Sequence, residues 1–367
     1  MNQKIKYTVY GLVFWLLLFL AWEWYFSYPR VRWSPAPFPQ NKSEKIDSLL
    51  IQSLADFLIP GLAVGIVEDE KLIYLKSFGY QNLETKDSMR IDTPLPVASI
   101  SKIFTALTVA EYVNEQELSA QTTLIELLPN STDLPKELQA LTLGQLLAHT
   151  SGLEDRGALG QLGSWKKDHS LALLPERMEK GNGKIGQFRY ADINYDLLGW
   201  LVQTHAKKPF DSLSKTLTLH KAGMNNSFFI PAGDSSSYLG HVRTFPWRRI
   251  KTKPLQLSAY PSPSSGLVVT ASDLSKFLLH FSRGKMSDFQ TELSWLHTSS
   301  GHPVGFQSIL INEKPYLGHY GGEDGFSALV LFSRDWERGF FLLSNSADQA
   351  DHRKKIASAI LQILDQP

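Results

Sequence analysis

A serine and a lysine three residues apart could form a reactive centre in this chain. Ser99 and Lys102 stand in the order Ser-Ile-Ser-Lys, and side chains three apart on a helix share one face. A lysine ammonium or neutral amine beside a hydroxyl lowers the cost of forming the alkoxide and can then carry its proton. The predicted chemistry is nucleophilic attack by Ser99.

The pattern Ser-x-x-Lys is short, and it begins at Ser99, Ser164, Ser212 and Ser282. Only Ser99 opens a long apolar segment, residues 103–110, which predicts a buried helix. The helix dipole and the free amides at its N-terminus would favour a nucleophile there. The alternative interpretation of Ser99 is an ordinary helix cap, because serine is a preferred capping residue.

A tyrosine and an aspartate in Tyr190-Ala191-Asp192 form the second candidate group. A tyrosine near a lysine can have a lowered pKa and serve as base, then as acid to the leaving group. The Asp192 carboxylate could anchor the lysine and the substrate. Tyr-x-Asn also occurs at Tyr80 and Tyr112, so a half-buried aromatic side chain at a helix start is the alternative interpretation of Tyr190.

The third candidate group is His319-Tyr320-Gly321-Gly322, just before a predicted strand at residues 326–332. Paired glycines allow close approach of a ligand or a backbone segment, and their amides can form an oxyanion hole. A tight turn with a surface histidine is the alternative interpretation.

Composition excludes several kinds of chemistry. The chain has no cysteine, which excludes disulfides, thiolate catalysis and zinc–thiolate sites. Its ten histidines show no paired metal-ligand spacing, so neither a metal nor a cofactor is expected. A net charge of +1 gives no reason to expect a nucleic-acid partner.

An apolar segment near the N-terminus predicts a membrane anchor. Residues 7–28 carry a single charge, Glu23, and as a helix they would span about 33 Å, the thickness of a bilayer core. No small-residue cleavage site follows, so we expect a retained signal-anchor over residues 1–28 rather than a cleaved signal peptide. We further expect the body of the protein on the extracytoplasmic (periplasmic) side of the cytoplasmic membrane.

The remaining patterns predict an α+β fold. Residues 29–42 are proline-rich and predict a stiff linker, and residues 43–367 form the domain. A helix at 46–58 and strands at 62–67 and 72–75 begin the domain. Strand candidates at 306–311, 326–332 and 340–343 and a helix at 353–364 end it. The pattern indicates an antiparallel sheet built from both chain ends, flanked by helices, with a mostly helical lobe inserted at about residues 103–281.

In this order, the three candidate groups resemble the serine β-lactamase and penicillin-binding protein superfamily. The likeness is greatest to its class C β-lactamase and D-alanyl-D-alanine carboxypeptidase branch, which includes esterases and D-aminopeptidases. Three further segments resemble that branch: residues 59–64 (IPGLAV), 141–153 (LTLGQLLAHTSGL) and 265–274 (SGLVVTASDL).

The resemblance implies a β-lactamase/transpeptidase-like fold and a role for each candidate residue. Ser99 would attack the acyl carbon, and Lys102 and Tyr190 would share the proton transfer. The amides of Ser99 and Gly322 would hold the oxyanion. Substrate contacts would come from Asp192, His319, Tyr320 and Gly321, and His149 would stabilise a loop.

Two departures from the family pattern bear on the substrate. Asp192 stands where the family more often has Asn, and His319 where many members have Lys. A histidine is mostly neutral at pH 7, so we expect a carboxylate-terminated substrate to be disfavoured. The predicted function is a serine hydrolase acting on an ester, amide or peptide-like substrate, which is either cell-envelope material or a small molecule. The alternatives are a catalytically silent penicillin-binding-like sensor, a D-Ala-D-Ala carboxypeptidase and a class C-like β-lactamase.

Overall fold

Two stretches from opposite ends of the chain pair to form one antiparallel sheet. The computed structural model describes residues 3–26, 38–129, 134–155, 183–230, 237–244, 249–256, 262–282, 304–348 and 350–366. The strands are β1 (Gly61–Glu68), β2 (Lys71–Asn82), β3 (Asp87–Ser88), β4 (Leu95–Pro96), β5 (Phe228–Phe229), β6 (Ser237–Thr244), β7 (Arg249–Gln256), β8 (Leu267–Val269), β9 (Gln307–Ile311), β10 (Lys314–Glu323), β11 (Phe326–Ser333) and β12 (Arg338–Ser344). The large sheet has the order β3-β2-β1-β12-β11-β10-β9. Pairing of β1 with β12 joins the two ends, which confirms the predicted α+β class.

Helices cover both faces of this sheet. The α-helices of the described residues are α1 (Gln3–Phe26), α2 (Lys42–Phe57), α3 (Ser101–Glu115), α4 (Leu124–Leu127), α5 (Leu143–Leu147), α6 (Asp192–Ala206), α7 (Phe210–Ser214), α8 (Ala271–Ser282) and α9 (His352–Leu364); α1 is exposed and does not cover the sheet. The terminal helices α2 and α9 pack on one face, where Leu62, Val64 and Ile66 of β1 point. The intervening Ala63 and Val67 point into the other core, because side chains alternate along a strand.

Helix α3 lies in the core of that second face and leads directly from the candidate nucleophile. Its residues from Ser101 to Val113 are buried, as the apolar run predicts. The polar side chains within it have partners: Thr105 donates to the Pro263 carbonyl at 2.6 Å, and Thr108 pairs with Thr218 at 2.8 Å. A helix held on all sides is a rigid support for the residues at its N-terminus.

The sequence patterns did not reveal every strand. Strand β10 pairs with β11 from Tyr316 to Glu323, so His319 to Gly322 lie in a strand and the tight-turn interpretation is wrong. Lysine, proline and three glycines in β10 hide its period-2 pattern. The middle of the chain also contains the hairpin of β6 and β7, which the expectation of a mostly helical lobe left out.

The N-terminal segment is helical, as expected. Among the described residues, one helix is long and apolar enough to cross a membrane, at Gln3–Trp22, with a mean hydropathy of 1.7. Most of the predicted linker, residues 29–37, lies outside the described residues, as does Ser164. The linker and the domain boundaries therefore stay predictions.

Candidate active site

The candidate nucleophile lies in a tight turn that feeds into α3. Ser99 is the middle residue of a 3₁₀ turn, Ala98–Ile100, and Ala98 has a positive φ of 47°, a strained conformation for a residue with a Cβ. Ser101 fixes this turn, because its hydroxyl donates to the Ala98 carbonyl at 2.6 Å and accepts from the Leu267 amide at 3.0 Å. Ser99 itself is partly exposed, so a substrate can reach it.

The Lys102 side chain is buried directly beneath Ser99, with 1% of its surface exposed. Its ammonium donates to Ser99 Oγ at 3.3 Å, to Asp192 Oδ1 at 2.7 Å and to the Ser264 carbonyl at 3.0 Å. Burial lowers the pKa of Lys102, but the Asp192 carboxylate and, to a smaller extent, Tyr190 together outweigh burial, and the pKa is raised. Lys102 is therefore an ammonium at neutral pH, and it can stabilise negative charge on Ser99 but cannot accept the proton of Ser99.

Replacing Asp192 with asparagine is expected to lower the pKa of Lys102. The substitution removes the anion that raises this pKa and leaves the burial that lowers it. NMR titration of ¹³Cε-labelled lysine in the full chain measures the effect. The matched control is Asp155→Asn, because Asp155 caps α6 through the amides of Asp192 and Ile193, both at 2.9 Å. An unchanged Lys102 titration in Asp192→Asn would contradict the conclusion that the Asp192 carboxylate raises the pKa of Lys102.

Tyr190 stands beside the Ser99–Lys102 pair. The Lys102 ammonium lies 4.9 Å from the centroid of the Tyr190 ring, and the ring is 37% exposed. On its other side, Tyr190 stacks on His149 with centroids 4.6 Å apart. The structure thus brings together the two motifs that the sequence could only place in order along the chain.

His149 holds the segment that carries Tyr190. Its Nδ1 accepts from the Ala191 amide and from Asn194 Nδ2, each at 3.2 Å, and its carbonyl accepts from the Arg189 amide at 2.8 Å. Burial and the nearby Lys102 lower its pKa to about 3, so the ring is neutral. This geometry agrees with the expected role of His149 in stabilising a loop.

His319 is buried on the same side of the sheet as Lys102, with 3% of its surface exposed. Its Nδ1 lies 2.6 Å from the Tyr320 carbonyl; since a carbonyl only accepts, Nδ1 carries the hydrogen. Burial and the Lys102 charge lower the pKa of His319 to about 4. The position therefore supplies no cation at pH 7, and the interpretation as a surface histidine is wrong.

The neutral state of His319 predicts a loss of stability in acid. An unfolded histidine binds a proton near pH 6.5, whereas folded His319 does so only near pH 4, so stability falls as the pH drops from 6.5 to 4. A pKa difference of this size between the folded and unfolded states corresponds to about 3 kcal/mol of folding stability at neutral pH. Between pH 7 and pH 4.5, denaturant unfolding should show a smaller loss of stability for His319→Gln than for wild type. Equal losses would contradict the prediction.

Strand β10 approaches the nucleophile turn at Gly321. A Cβ at this position would lie 2.0 Å from the Val97 carbonyl oxygen, so only glycine fits. Strand β9 pairs with β10 only from Lys314 to Gly318, which leaves the edge from His319 onward next to the Ser99 turn. Gly322, whose amide is expected to bind the oxyanion, is exposed on this edge.

The expected contact between the Tyr320 ring and the substrate is not what the structure shows. Tyr320 points to the opposite face of β10, where its ring packs against the terminal-helix core and lies 5.2 Å from the Arg353 guanidinium. The physical reason is the alternation of side chains along a strand, which sends neighbours His319 and Tyr320 to opposite faces.

Sequence reasoning missed two groups that support the site. The Ser264 carbonyl binds Lys102, and Asp196 holds that loop by accepting from the Ser264 amide at 3.0 Å and the Ser262 hydroxyl at 3.1 Å. Burial raises the pKa of Asp196 to about 6. Asp196 follows Asp192 by one helical turn, a spacing visible in the sequence. No cluster of His, Asp and Glu that could hold a metal occurs within the described residues.

The comparisons with known proteins agree with this fold. The family model described as Beta-lactamase matches residues 46–365, so the chain belongs to the Beta-lactamase family. Protein Flp of Staphylococcus aureus strain N315 is 22% identical over 320 residues, 83% of this chain and 63% of Flp. A Beta-lactamase of Lysobacter lactamgenus is 24% identical over 370 residues, 89% of this chain and 93% of that protein.

A solved structure has the same fold. The octameric penicillin-binding protein homologue from Pyrococcus abyssi is similar with a TM-score of 0.69 and 22% identity, over 87% of this chain and 76% of that one. The matched region is thus shorter than the structure it resembles. It is also shorter than Flp, since this chain spans 63% of Flp's length.

Proposed function

We propose that this protein is a membrane-anchored serine hydrolase that forms an acyl-enzyme on Ser99 with an uncharged ester, amide or peptide-like substrate. The observation that carries the proposal is the buried Lys102 ammonium, 3.3 Å from a partly exposed Ser99 hydroxyl. Family membership supports a serine-hydrolase-like chemistry. A buried cation that has no task in catalysis would be an expensive structural element.

The proton transfer follows from the protonation states. Ser99 Oγ attacks the acyl carbon while its proton passes to the Tyr190 hydroxyl, which gives its own proton to the leaving group, since Lys102 is already an ammonium. The Lys102 charge stabilises the negative charge that develops on Ser99 Oγ, and the bond between the acyl carbon and the protonated leaving group then breaks. Water then attacks the acyl carbon, its proton passes through the Tyr190 hydroxyl to Ser99 Oγ, and the bond between Ser99 and the acyl group breaks.

The oxyanion of the tetrahedral intermediate would be bound by the amides of Ser99 and Gly322. The close approach of Gly321 to the Val97 carbonyl supports this role, because it brings the β10 edge up to the Ser99 turn. Two preorganised amides aimed at a developing charge supply much of the rate enhancement in acyl transfer.

The charges around Ser99 support an uncharged substrate. Lys102 is neutralised by Asp192 at 2.7 Å, and the lowered pKa values of His149 and His319 keep both rings neutral. A substrate carboxylate would therefore meet no uncompensated cation among these side chains, and it would lie near the 45% exposed Asp192 carboxylate. Desolvating a carboxylate without a partner is costly.

Two matched esters test this substrate class. 3-Acetoxybenzamide and 3-acetoxybenzoate release similar phenols and differ only in a carboxylate on the leaving group. We expect the full chain in detergent to hydrolyse the amide-bearing ester with kcat/KM at least about tenfold higher, the effect of roughly 1.4 kcal/mol. A higher kcat/KM for 3-acetoxybenzoate would instead support the carboxypeptidase alternative.

The second candidate function is a silent penicillin-binding-like sensor. It is favoured by the ion pair of Lys102 with Asp192, which holds the cation away from proton exchange. The two candidates differ in turnover: a sensor would keep one stable acyl group per chain, while a hydrolase would release product repeatedly. Time-resolved intact mass spectrometry during ester hydrolysis separates them.

The N-terminal helix supports a location on the membrane. Residues 7–28 would anchor the chain, with the domain on the extracytoplasmic side and access to cell-envelope substrates. The length and hydropathy of the helix support the anchor. Protease added to intact spheroplasts should digest the domain, and its protection would contradict this orientation.

A further inference from the structure

An arginine of the C-terminal helix lies behind the candidate oxyanion strand. Nη1 of Arg353 donates to the Gly321 carbonyl and, at 3.2 Å, to the Ala328 carbonyl of the neighbouring strand. The guanidinium lies on the terminal-helix side of the sheet, against the Tyr320 ring. Arg353 is thus on the face opposite Lys102 and does not contact Ser99 or the expected substrate position.

The Arg353 side chain is held rigidly in this position. Its Nε donates to Asp348 Oδ2 at 2.7 Å, and Asp348 is 3% exposed. Burial raises the pKa of Asp348, but the charges of His352 and Arg353 outweigh burial and the pKa is lowered. Asp348 also accepts from the His352 amide at 2.8 Å. A buried, ionised carboxylate therefore fixes the guanidinium, and only 17% of the arginine side chain is exposed.

The carbonyl that Arg353 binds belongs to the same peptide unit as the amide of Gly322. A trans peptide is planar, and its C=O and N–H point in opposite directions. Fixing the Gly321 carbonyl from the helix side therefore fixes the direction of the Gly322 N–H away from it. A charged donor on the carbonyl also polarises the peptide and strengthens the N–H as a donor.

This peptide needs such a restraint more than others in the strand. Two consecutive glycines have the least restricted backbone of any pair, and Gly321 must be glycine to pass Val97. At Gly322, an added Cβ would meet only Arg353 Nη1, at 3.8 Å. Arg353 supplies from outside the rigidity that the two residues lack.

We propose that Arg353 is a positioning residue for the oxyanion hole, which it serves by holding the Gly321–Gly322 peptide. The role rests on the proposed hydrolase function, in which the Gly322 amide binds the oxyanion. Arg353 acts through the peptide and not on the substrate.

The first experiment observes this peptide alone. Gly321-Gly322 is the only pair of adjacent glycines in the sequence, so labelling with [¹³C′]glycine and [¹⁵N]glycine gives a single HNCO peak. In the full chain without ligand, Arg353→Met should move the ¹³C′ shift upfield and speed exchange of the Gly322 amide, with Arg353→Lys intermediate. The control Arg338→Met removes the contacts of Arg338 with Glu68 and Asp365 and should leave the peak in place. An unmoved peak in Arg353→Met overturns the proposal.

The second experiment measures the consequence for catalysis. With 3-acetoxybenzamide, Arg353→Met should lower kcat by about tenfold or more, below the 10²- to 10³-fold loss of a whole oxyanion donor, and leave KM nearly unchanged. The affinity for phenylboronic acid, which forms a tetrahedral adduct, should fall in parallel. A moved peak with unchanged kcat overturns the proposal, and so does a loss confined to KM.

Two further measurements keep the outcomes distinct. If Arg353→Met fails to fold by circular dichroism, Arg353→Lys decides by the same peak and the same kcat. If wild type carries no Ser99 adduct after fluorophosphonate treatment, the hydrolase function is contradicted, and the oxyanion role of Arg353 with it. The ligand-free HNCO peak still reports whether Arg353 holds the peptide.

Discussion

Replacing Ser99 with alanine is expected to abolish covalent labelling of the chain by a fluorophosphonate and to lower ester hydrolysis by at least about 10⁴-fold. The reagent adds to an activated serine, and the structure places Ser99 3.3 Å from the Lys102 ammonium. Intact mass spectrometry of the full chain in detergent should show one adduct in wild type and none in Ser99→Ala.

Ser212→Ala provides a matched control for this experiment. Ser212 begins another Ser-x-x-Lys pattern, with Lys215. Its side chain is exposed in α7, and its hydroxyl lies 3.5 Å from the carboxylate of the adjacent Asp211. The variant should be labelled like wild type. An adduct that persists in Ser99→Ala, or disappears in Ser212→Ala, would refute the assignment of the nucleophile.

A penicillin arm of the same experiment addresses the alternatives. Because the pKa values of His149 and His319 leave both rings neutral, the penicillin carboxylate gains no cationic partner from them, and we expect no adduct on the timescale of fluorophosphonate labelling. A penicillin adduct on Ser99 would favour the carboxypeptidase, β-lactamase or sensor alternatives.

The second large effect is expected at Gly321. A Cβ in Gly321→Ala would lie 2.0 Å from the Val97 carbonyl, so β10 must withdraw from the nucleophile turn by about 1 Å. Displacement of an oxyanion donor on this scale should slow fluorophosphonate labelling by about 10²- to 10³-fold. The measurement is the second-order rate constant for labelling, on protein whose near-ultraviolet circular dichroism shows a folded core.

The adjacent glycine offers the control for this prediction. In Gly322→Ala the new Cβ meets only Arg353 Nη1, at 3.8 Å, an ordinary contact. This variant should be labelled at nearly the wild-type rate, since its backbone amide is retained. Equal losses in the two variants would indicate that the glycines matter for flexibility and not for the approach of β10 to Val97.

The parts of this protein that could be predicted from sequence are those encoded by local patterns. The pairing of Ser99 with Lys102 depends on helical spacing, and the burial of α3 on its apolar composition. The strands at both chain ends and the helices α2 and α9 follow from periodicity. The motif order was enough to place the chain in its superfamily, and family membership confirms that prediction.

Other features depend on contacts between distant residues. The protonation of Lys102 is decided by Asp192, which lies ninety positions away in the chain, and by burial that no local pattern measures. The side of the sheet that Tyr320 faces depends on the register of β10. The glycines and the proline of this strand interrupt the alternating pattern by which a strand is recognised in a sequence. The Arg353 contact with Gly321 joins residues from two separate elements.

The sequence by itself therefore determined which residues could react, the class of fold that carries them and the apolar segment at the N-terminus. Only the tertiary structure decided the charge state of each group, the position of Gly321 against Val97, and the hydrogen bonds of the Ser264 carbonyl and Arg353. The physical reason is that side-chain types and spacing act through nearest neighbours along the chain. Electrostatics and close packing, in contrast, depend on distances in space, which the chain acquires only when it folds.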